Sequence, residues 1–473
     1  MYSYEVLSDL KLFDFDVTEI PEFDSRRVGV KNLTENLEYQ RYMRTEIITE
    51  SRLDYSGHSH FEVLPISEYE AVHPEWYVWE KGYDANSVNA EKHGQLCLTN
   101  EEMTQEFIKQ VAADFKAKPE ADFAHLGQQD NSISCHCENC EATKAQYNTN
   151  DSGLMVMFTN KVARGVTKII QEDEPDRQLQ FEMFAYLGSI VPPTHKEGNT
   201  YVADCNEVVP DSNVIVQFTP LGSNASETMD SQENAKYYSY LQGWRAICDN
   251  ISVWTYNTNF RWLVFNHKNW DTMLADMRMY SEMGVRRFYN QGSVHYTVAQ
   301  MTEMRIFIES SLMWNSSLNF QSLVEEFIAQ YYGPAAPYIQ QAYDAMTTYY
   351  EHINTDLELS GTVYISLNDK KYWSFGYVES VRRLMEKAYE AIEYLKETDR
   401  VTYEKYYWRV GGAYMENLFM QMEYHKANYG KAYSLKAIDL FEAISQRLNV
   451  SAMDESNANK LSSYISKWRA AYV

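Results

Sequence analysis

The feature that most constrains this chain is an alternation that persists to about residue 300: short β-type runs, each followed by a longer stretch with helical periodicity. The runs fall at 27–31, 60–64, 95–99, 122–128, 178–184, 214–218, 251–256 and 285–289. Amphipathic stretches at 101–115, 154–171, 232–248 and 270–283 lie between them. No hairpin turn signal joins neighbouring runs, so consecutive strands must pair in parallel through helical crossovers. Eight such alternations predict an α/β fold, a (β/α)8 TIM barrel. An open doubly wound sheet is the alternative, but no glycine-rich phosphate loop follows any run. Thr99-Asn100-Glu101-Glu102 places a capping side chain and two acids where first-turn amides need acceptors.

Beyond about residue 300 the strand signals fade, apart from a short run at 362–366, and helical periodicity takes over at 320–332, 338–353, 377–395, 401–429 and 434–448. The expected organisation is therefore a barrel over 1–300 and a C-terminal all-helical domain over 301–473. No apolar run approaches the ~20 residues of a membrane span. Residues 1–16 carry neither a basic nor an apolar leader region, so no signal peptide is expected in the sequence as given. A net charge of −25 without any Lys/Arg cluster repels phosphate backbones, which argues against a nucleic-acid partner.

In a barrel of this kind the reactive groups stand at the C-terminal ends of the strands. There the sequence offers His58 and His60, Cys97, then Gln128-Gln129-Asp130-Asn131, Glu182 with Tyr186, Trp254 with Tyr256 and Asn259, and Asn290-Gln291. Carboxyls for a glycosidic bond, amides for hydroxyls and rings for sugar faces make this the inventory of a carbohydrate site. The 38 tyrosines and 10 tryptophans suit the same purpose, although Tyr-rich cores have similar composition. Asp130 follows an apolar strand, where a carboxylate must either line a site or be capped by nearby donors. Adjacent carboxyls at such a strand end suit substrate-assisted cleavage of N-acetyl sugars, but here the pair reads Gln129-Asp130. Either Gln129 stands where a general acid belongs, or the acid is elsewhere, with Glu182 the nearest candidate. Alternation along the strand puts Glu182 on the face of Tyr186, two layers deeper, where it equally suits a buried ion pair. His58, Asn131, Tyr186, Trp254, Tyr256, Asn259 and Gln291 are the candidate substrate contacts, with loop or core packing as the alternative for each.

Six cysteines occur, and Cys135-x-Cys137-x-x-Cys140 is the clustered set. With a fourth ligand such as Cys97 or His136 these would hold a structural zinc; disulfides in an oxidising compartment, or free thiols in a tight loop, are the other readings. No cofactor is expected for catalysis.

These elements also form an ordered string: His58 seven residues before Pro65, His73-Pro-Glu75, Gln95-Leu-Cys-Leu-Thr-Asn100, Gln128-x-Asp130, Cys-x-Cys-x-x-Cys, Ala185-Tyr186, Trp254-x-Tyr256-x-x-Asn259-Phe260, Gln291-Gly292 and Tyr332-Gly-Pro-Ala-Ala-Pro337. Over about 25–340 it resembles the large bacterial family, mostly of unknown function, from which glycoside hydrolase family 163 was defined. The resemblance implies a barrel related to those of hexosaminidases and α-glucuronidases. It implies endo-β-N-acetylglucosaminidase activity within the chitobiose core of complex N-glycans, with retention. Relatives carry acids where this chain has Thr255 and Asn290, and a glutamate at 129 would mark this chain as an inactivated form. The expected partner is an N-glycan or glycoprotein, and the expected location is the periplasm or surface of a bacterium, with the export signal removed. A glycosidase of other specificity, uronidase-like with Arg261 as the basic clamp, and a non-catalytic glycan-binding protein are the competing readings.

Overall fold

The computed structural model describes residues 18–46, 51–79, 93–267, 269–299, 301–359 and 361–472; the stretch read for a leader, 1–16, lies outside them. The described strands are β1 (Ser25–Gly29), β2 (Tyr77–Trp79), β3 (His93–Leu96), β4 (Phe123–His125), β5 (Gln180–Ala185), β6 (Thr194–Glu197), β7 (Thr200–Ala203), β8 (Val214–Phe218), β9 (Ile251–Tyr256) and β10 (Arg287–Gln291). Six of them form one parallel sheet in the order β1-β10-β9-β8-β5-β4. The sheet curls: Arg287 of β10 donates to Gln180 Oε1 of β5 at 2.6 Å and lies over the Phe123 ring of β4. Its two outer edges are bonded by one part of the chain. Glu46 N–H donates to Arg26 O at 2.8 Å on β1, and Leu53 N–H to Phe123 O at 2.9 Å on β4.

Helices cover the outer face because βα crossovers carry them there. Glu101–Ala117 begins at the expected cap, with Asn100 accepting Met103 N–H at 3.0 Å. It packs against Asp151–Gln171 through Phe107 and Phe158, whose rings meet edge to face at 5.2 Å. Burying such pairs contributes about 1.5–3 kcal/mol per side chain.

The structure departs from the expected eight parallel strands in two places. The 60–64 run is a short helix, His60–Val63, its histidine fully buried between Phe107 and Phe158. A short apolar run has the same pattern in a buried strand and a buried helical turn, and here packing chose the turn. The 95–99 run contributes β3, which pairs antiparallel with β2 outside the main sheet. The 362–366 run carries no strand.

The C-terminal part is helical: Phe320–Tyr332, Ala336–Asp356, Phe375–Ile392, Arg400–Tyr424, Lys431–Leu448 and Leu461–Ala470. The helix Thr302–Trp314 belongs instead to the sheet layer, since Phe23 N–H, just before β1, donates to Met313 O at 3.2 Å. The loop after β9 wedges into the helical part. Asn266 donates to the buried Glu416 through its backbone at 3.0 Å and its side chain at 2.8 Å. Phe265 stacks on the fully buried Trp373 at 5.2 Å. Phe260 N–H reaches Val363 O at 2.9 Å, and Leu263 N–H reaches Met453 O at 2.8 Å.

Candidate functional site

Alternation along the strands sorts the sheet's side chains into outward apolar and inward polar or aromatic sets. Inside, Glu182 is almost fully buried, accepting Ser252 Oγ–H at 2.5 Å and lying 3.5 Å from His125 Nε2. Burial pushes the His125 imidazole down to about 4 although Glu182 opposes it, so at neutral pH the ring is uncharged. The half-buried Arg27 guanidinium lies 4.2 Å over the Tyr289 ring and feels the Glu182 charge. Glu182 is thus part of a polar interior, beneath the layer of Phe184 and Trp254.

The next layer opens to solvent. Phe184 and Trp254 lie 5.5 Å apart, Trp254 and Tyr256 6.3 Å, and the His58 ring lies 5.2 Å from Phe184. Trp254 Nε1–H donates to Gln291 Oε1 at 3.0 Å, tying β9 to β10. Gly127 passes so close to Phe184 that a Cβ there would lie 2.6 Å from its ring and 2.0 Å from Gly57 O. Only glycine lets the chain turn under this aromatic layer.

Above it stands Asp130, exposed, accepting the Tyr186 hydroxyl at 2.8 Å. Burial, then the Asp130 charge, raises the Tyr186 phenol, which therefore stays a donor. Gln129 is buried beside it. Its side-chain amide donates to His58 O at 3.3 Å, and its backbone N–H donates to Gln95 Oε1 at 2.8 Å. Gln95 Nε2 reaches back to Gln129 O at 3.0 Å and to Asn131 Oδ1 at 3.0 Å. His58 Nδ1 lies 2.6 Å from Gln128 O. The structure therefore brings His58, Gln129, Asp130, Asn131, Tyr186, Trp254, Tyr256 and Gln291 to one mouth. Asn259 lies off it, fully buried, donating to Ile365 O at 2.8 Å and accepting Arg261 N–H at 3.1 Å as a turn residue.

Two members of the mouth come from the helical part. Tyr364 packs 5.8 Å from Phe260, which lies 5.7 Å from Tyr256. Glu455 donates its backbone N–H to Phe260 O at 3.0 Å. Burial raises the Glu455 carboxyl, His295 opposes, and the Asp130 charge raises it further. Its neighbour Asp454 pins the loop by accepting Asn459 N–H at 3.0 Å and Ala458 N–H at 3.2 Å. An acid so remote in the chain carries no strand-end signal; the polar run Asp454-Glu-Ser-Asn457 between helices is the one trace of it.

Behind β9 and β10, a pocket is lined by Asn224, Thr255, Asp276 and Asn290. Thr255 Oγ1–H donates to Asn290 Oδ1 at 3.0 Å. Burial pushes Asp276 up to about 7 against the Met229 N–H it accepts at 2.7 Å. Burial likewise brings Glu309 to about 7, opposed by Arg305, and it accepts Asn257 Nδ2–H at 2.8 Å. Of the described cysteines, Cys97, Cys135, Cys137 and Cys140 place their sulfurs within 4.8 Å of one another.

Fold and site together define an α/β protein with a curled parallel sheet, whose strand ends and helical part share one aromatic, carboxyl-bearing mouth. The chain belongs to the family described as domain of unknown function DUF4838, which matches residues 1–344. No curated protein matches it. Among solved structures it is similar to a GH138 enzyme targeting pectin rhamnogalacturonan II, at 10% identity over 97% of this chain and 68% of that one, with a TM-score of 0.46. It is also similar to CpGH84B, at 12% identity over 95% of this chain and 77% of that one, with a TM-score of 0.30. Among the described residues no helix is long and apolar enough to cross a membrane.

Proposed function

We propose that this chain is a glycoside hydrolase working at the mouth formed by the ends of β4, β5, β9 and β10, with Asp130 and Glu455 as its carboxyls. The observation that carries this reading is Asp130, held by the Tyr186 hydroxyl at 2.8 Å, within electrostatic reach of a Glu455 carboxyl raised by burial. A raised carboxyl within electrostatic reach of a hydrogen-bonded, exposed one gives an acid and a charge-stabilising partner, the pair that glycosidic cleavage uses. The Trp254–Tyr256–Tyr364 surface supplies apolar faces for sugar rings.

The finer reading is an endo-β-N-acetylglucosaminidase acting in the chitobiose core of complex N-glycans, outside the cytoplasm of a bacterium. It is supported by the resemblance to the family from which glycoside hydrolase family 163 was defined. In that reaction the substrate's own 2-acetamido oxygen attacks C1 as the glycosidic C–O bond breaks. Asp130 accepts the acetamido N–H, and Tyr186 Oη holds Asp130 in place. Glu455 gives its proton to the leaving oxygen; its carboxylate then takes a proton from the water that opens the oxazoline, leaving the anomeric configuration retained. A second reading, a non-catalytic glycan-binding protein, is favoured by the amide at Gln129 where the paired-carboxyl pattern has an acid.

The test uses a glycoprotein bearing biantennary complex N-glycans, with released glycans read by mass spectrometry for the unchanged chain, Glu455→Gln and Gln129→Glu. The unchanged chain is expected to leave one N-acetylglucosamine on the protein, and Glu455→Gln to slow release by about 10²–10⁴-fold. A general acid must hold its proton, so activity falls as pH rises through the raised Glu455 value. Release by Gln129→Glu alone would move the acid to position 129 and make the present chain a binder. Release by none of the three would remove the N-glycan assignment.

A further inference from the structure

Four of the six cysteines converge from two segments that are far apart in sequence. Cys97 follows β3; Cys135 and Cys137 lie in the loop after β4; Cys140 sits in the first turn of the helix Glu138–Gln146, for which Cys137 is the N-cap. Cys97 Sγ is 3.7 Å from Cys137 Sγ and 3.8 Å from Cys140 Sγ, and all four sulfurs lie within 4.8 Å of one another. A disulfide needs about 2.05 Å. Four thiolates around a zinc at about 2.3 Å stand at the corners of a tetrahedron with edges near 3.8 Å, the spacing seen here. The surroundings match a structural centre. Cys97 and Cys140 are buried against Leu98, Leu154 and Met157, and Thr99 Oγ1 lies 3.1 Å from Cys140 Sγ, placed to donate to a bound thiolate.

We propose that Cys97, Cys135, Cys137 and Cys140 form a tetrathiolate zinc site that locks the Asp130 loop onto β3. The mechanical link is short. Gln95, two residues before Cys97, holds Gln129 and Asn131 by its side chain and donates its backbone N–H to Ile133 O at 3.0 Å. Gly94 lies so close to this loop that a Cβ would come within 2.4 Å of Ile133 O. Four protein ligands leave no open position, so the metal's part is structural. This inference stands on the sulfur geometry and is independent of the glycosidase reading.

The test is the metal content of the full chain purified without chelator, by elemental mass spectrometry, for the unchanged protein, Cys137→Ser and Cys205→Ser. Cys137 is exposed, so its serine variant is sterically mild, and Cys205 lies outside the cluster. One zinc per chain is expected in the unchanged protein and in Cys205→Ser, with most of it lost in Cys137→Ser. Cobalt substitution is expected to give the intense visible bands of a tetrahedral thiolate complex. Hydrogen exchange at the Gln129 and Gln95 amides is expected to accelerate when the unchanged chain is chelated, reaching the rate that Cys137→Ser shows without chelator. The proposal is overturned if the folded protein binds neither zinc nor cobalt stoichiometrically. An unreduced mass lower by one or two pairs of hydrogens, showing disulfides, or stoichiometric iron in place of zinc, overturns it equally.

Discussion

Asp276→Asn is expected to stabilise this protein at alkaline pH and to do much less at acidic pH. Asp276 sits on the helix Trp270–Glu282, in the pocket behind β9 and β10, and accepts Met229 N–H at 2.7 Å. Asparagine is isosteric, and its carbonyl oxygen can keep that hydrogen bond. Burial raises the carboxyl from 3.8 to about 7, with Asp230 adding to the shift. A folded value above the unfolded one means that the native state holds the proton more tightly. That stability is complete below the unfolded value and is lost as pH rises through about 7. Integrated between about pH 5 and about pH 8, the loss comes to about 2.5 kcal/mol at most. Water reaches this half-buried side chain, and screening brings the expected difference to about 1 kcal/mol. The variant has no such proton to lose, so its advantage over the unchanged chain grows by that amount across the interval. Thermal unfolding of both proteins at the two pH values reads it directly. An equal shift at both ends, or a variant that loses ground at the alkaline end, would refute a buried carboxyl as the source.

Two further substitutions probe the mouth and the join between the two parts. Tyr186→Phe removes one hydrogen bond to a charged group, worth about 1.5–3 kcal/mol; turnover on the proposed glycoprotein substrate is expected to fall about ten- to a hundredfold while stability falls by no more than that amount, and full activity would exclude Tyr186 as the support of Asp130. Trp373→Ala empties the site between Phe265 and Tyr350 and removes the Nε1–H bond to Leu367 O at 2.8 Å; a loss of about 3–5 kcal/mol is expected in denaturant unfolding, and a loss below about 1 kcal/mol would show that the join does not rest on this residue.

The strands that pair through long helical crossovers were the readable part of this fold. The runs at 214–218 and 251–256 coincide with β8 and β9, because both are made of β-branched and aromatic residues interrupted only by Gln217 and Ser252. The Asn100 cap was readable for a local reason: its side chain satisfies an amide three residues on. The first part of the sheet was not. The chain bonds to both sheet edges around Glu46 and Leu53, through stretches too short for a periodic signal, while the stronger apolar run at 60–64 became a helical turn. At the mouth, the positions of Tyr186 and Trp254 follow from strand alternation, and Asp130 from its place in the loop after β4. Glu455 does not: its place depends on the β9 loop entering the helical part, a tertiary contact with no local pattern. The cysteine spacing pointed to three partners, but which fourth residue joins them depended on where β3 lies, and β3 left the main sheet.

The wedge of the β9 loop has a consequence for how the mouth is divided along the chain. The shared family region ends at residue 344, yet Tyr364 and Glu455 reach the mouth from beyond it. Two wall segments of the cleft thus come from a part of the chain that the family match does not cover. Exchanging the residues beyond 344 would therefore change these walls while the Asp130–Tyr186 floor stays as it is. Transplanting that part, with the 257–267 loop carried along as its socket, would reshape the mouth and leave the strand ends untouched.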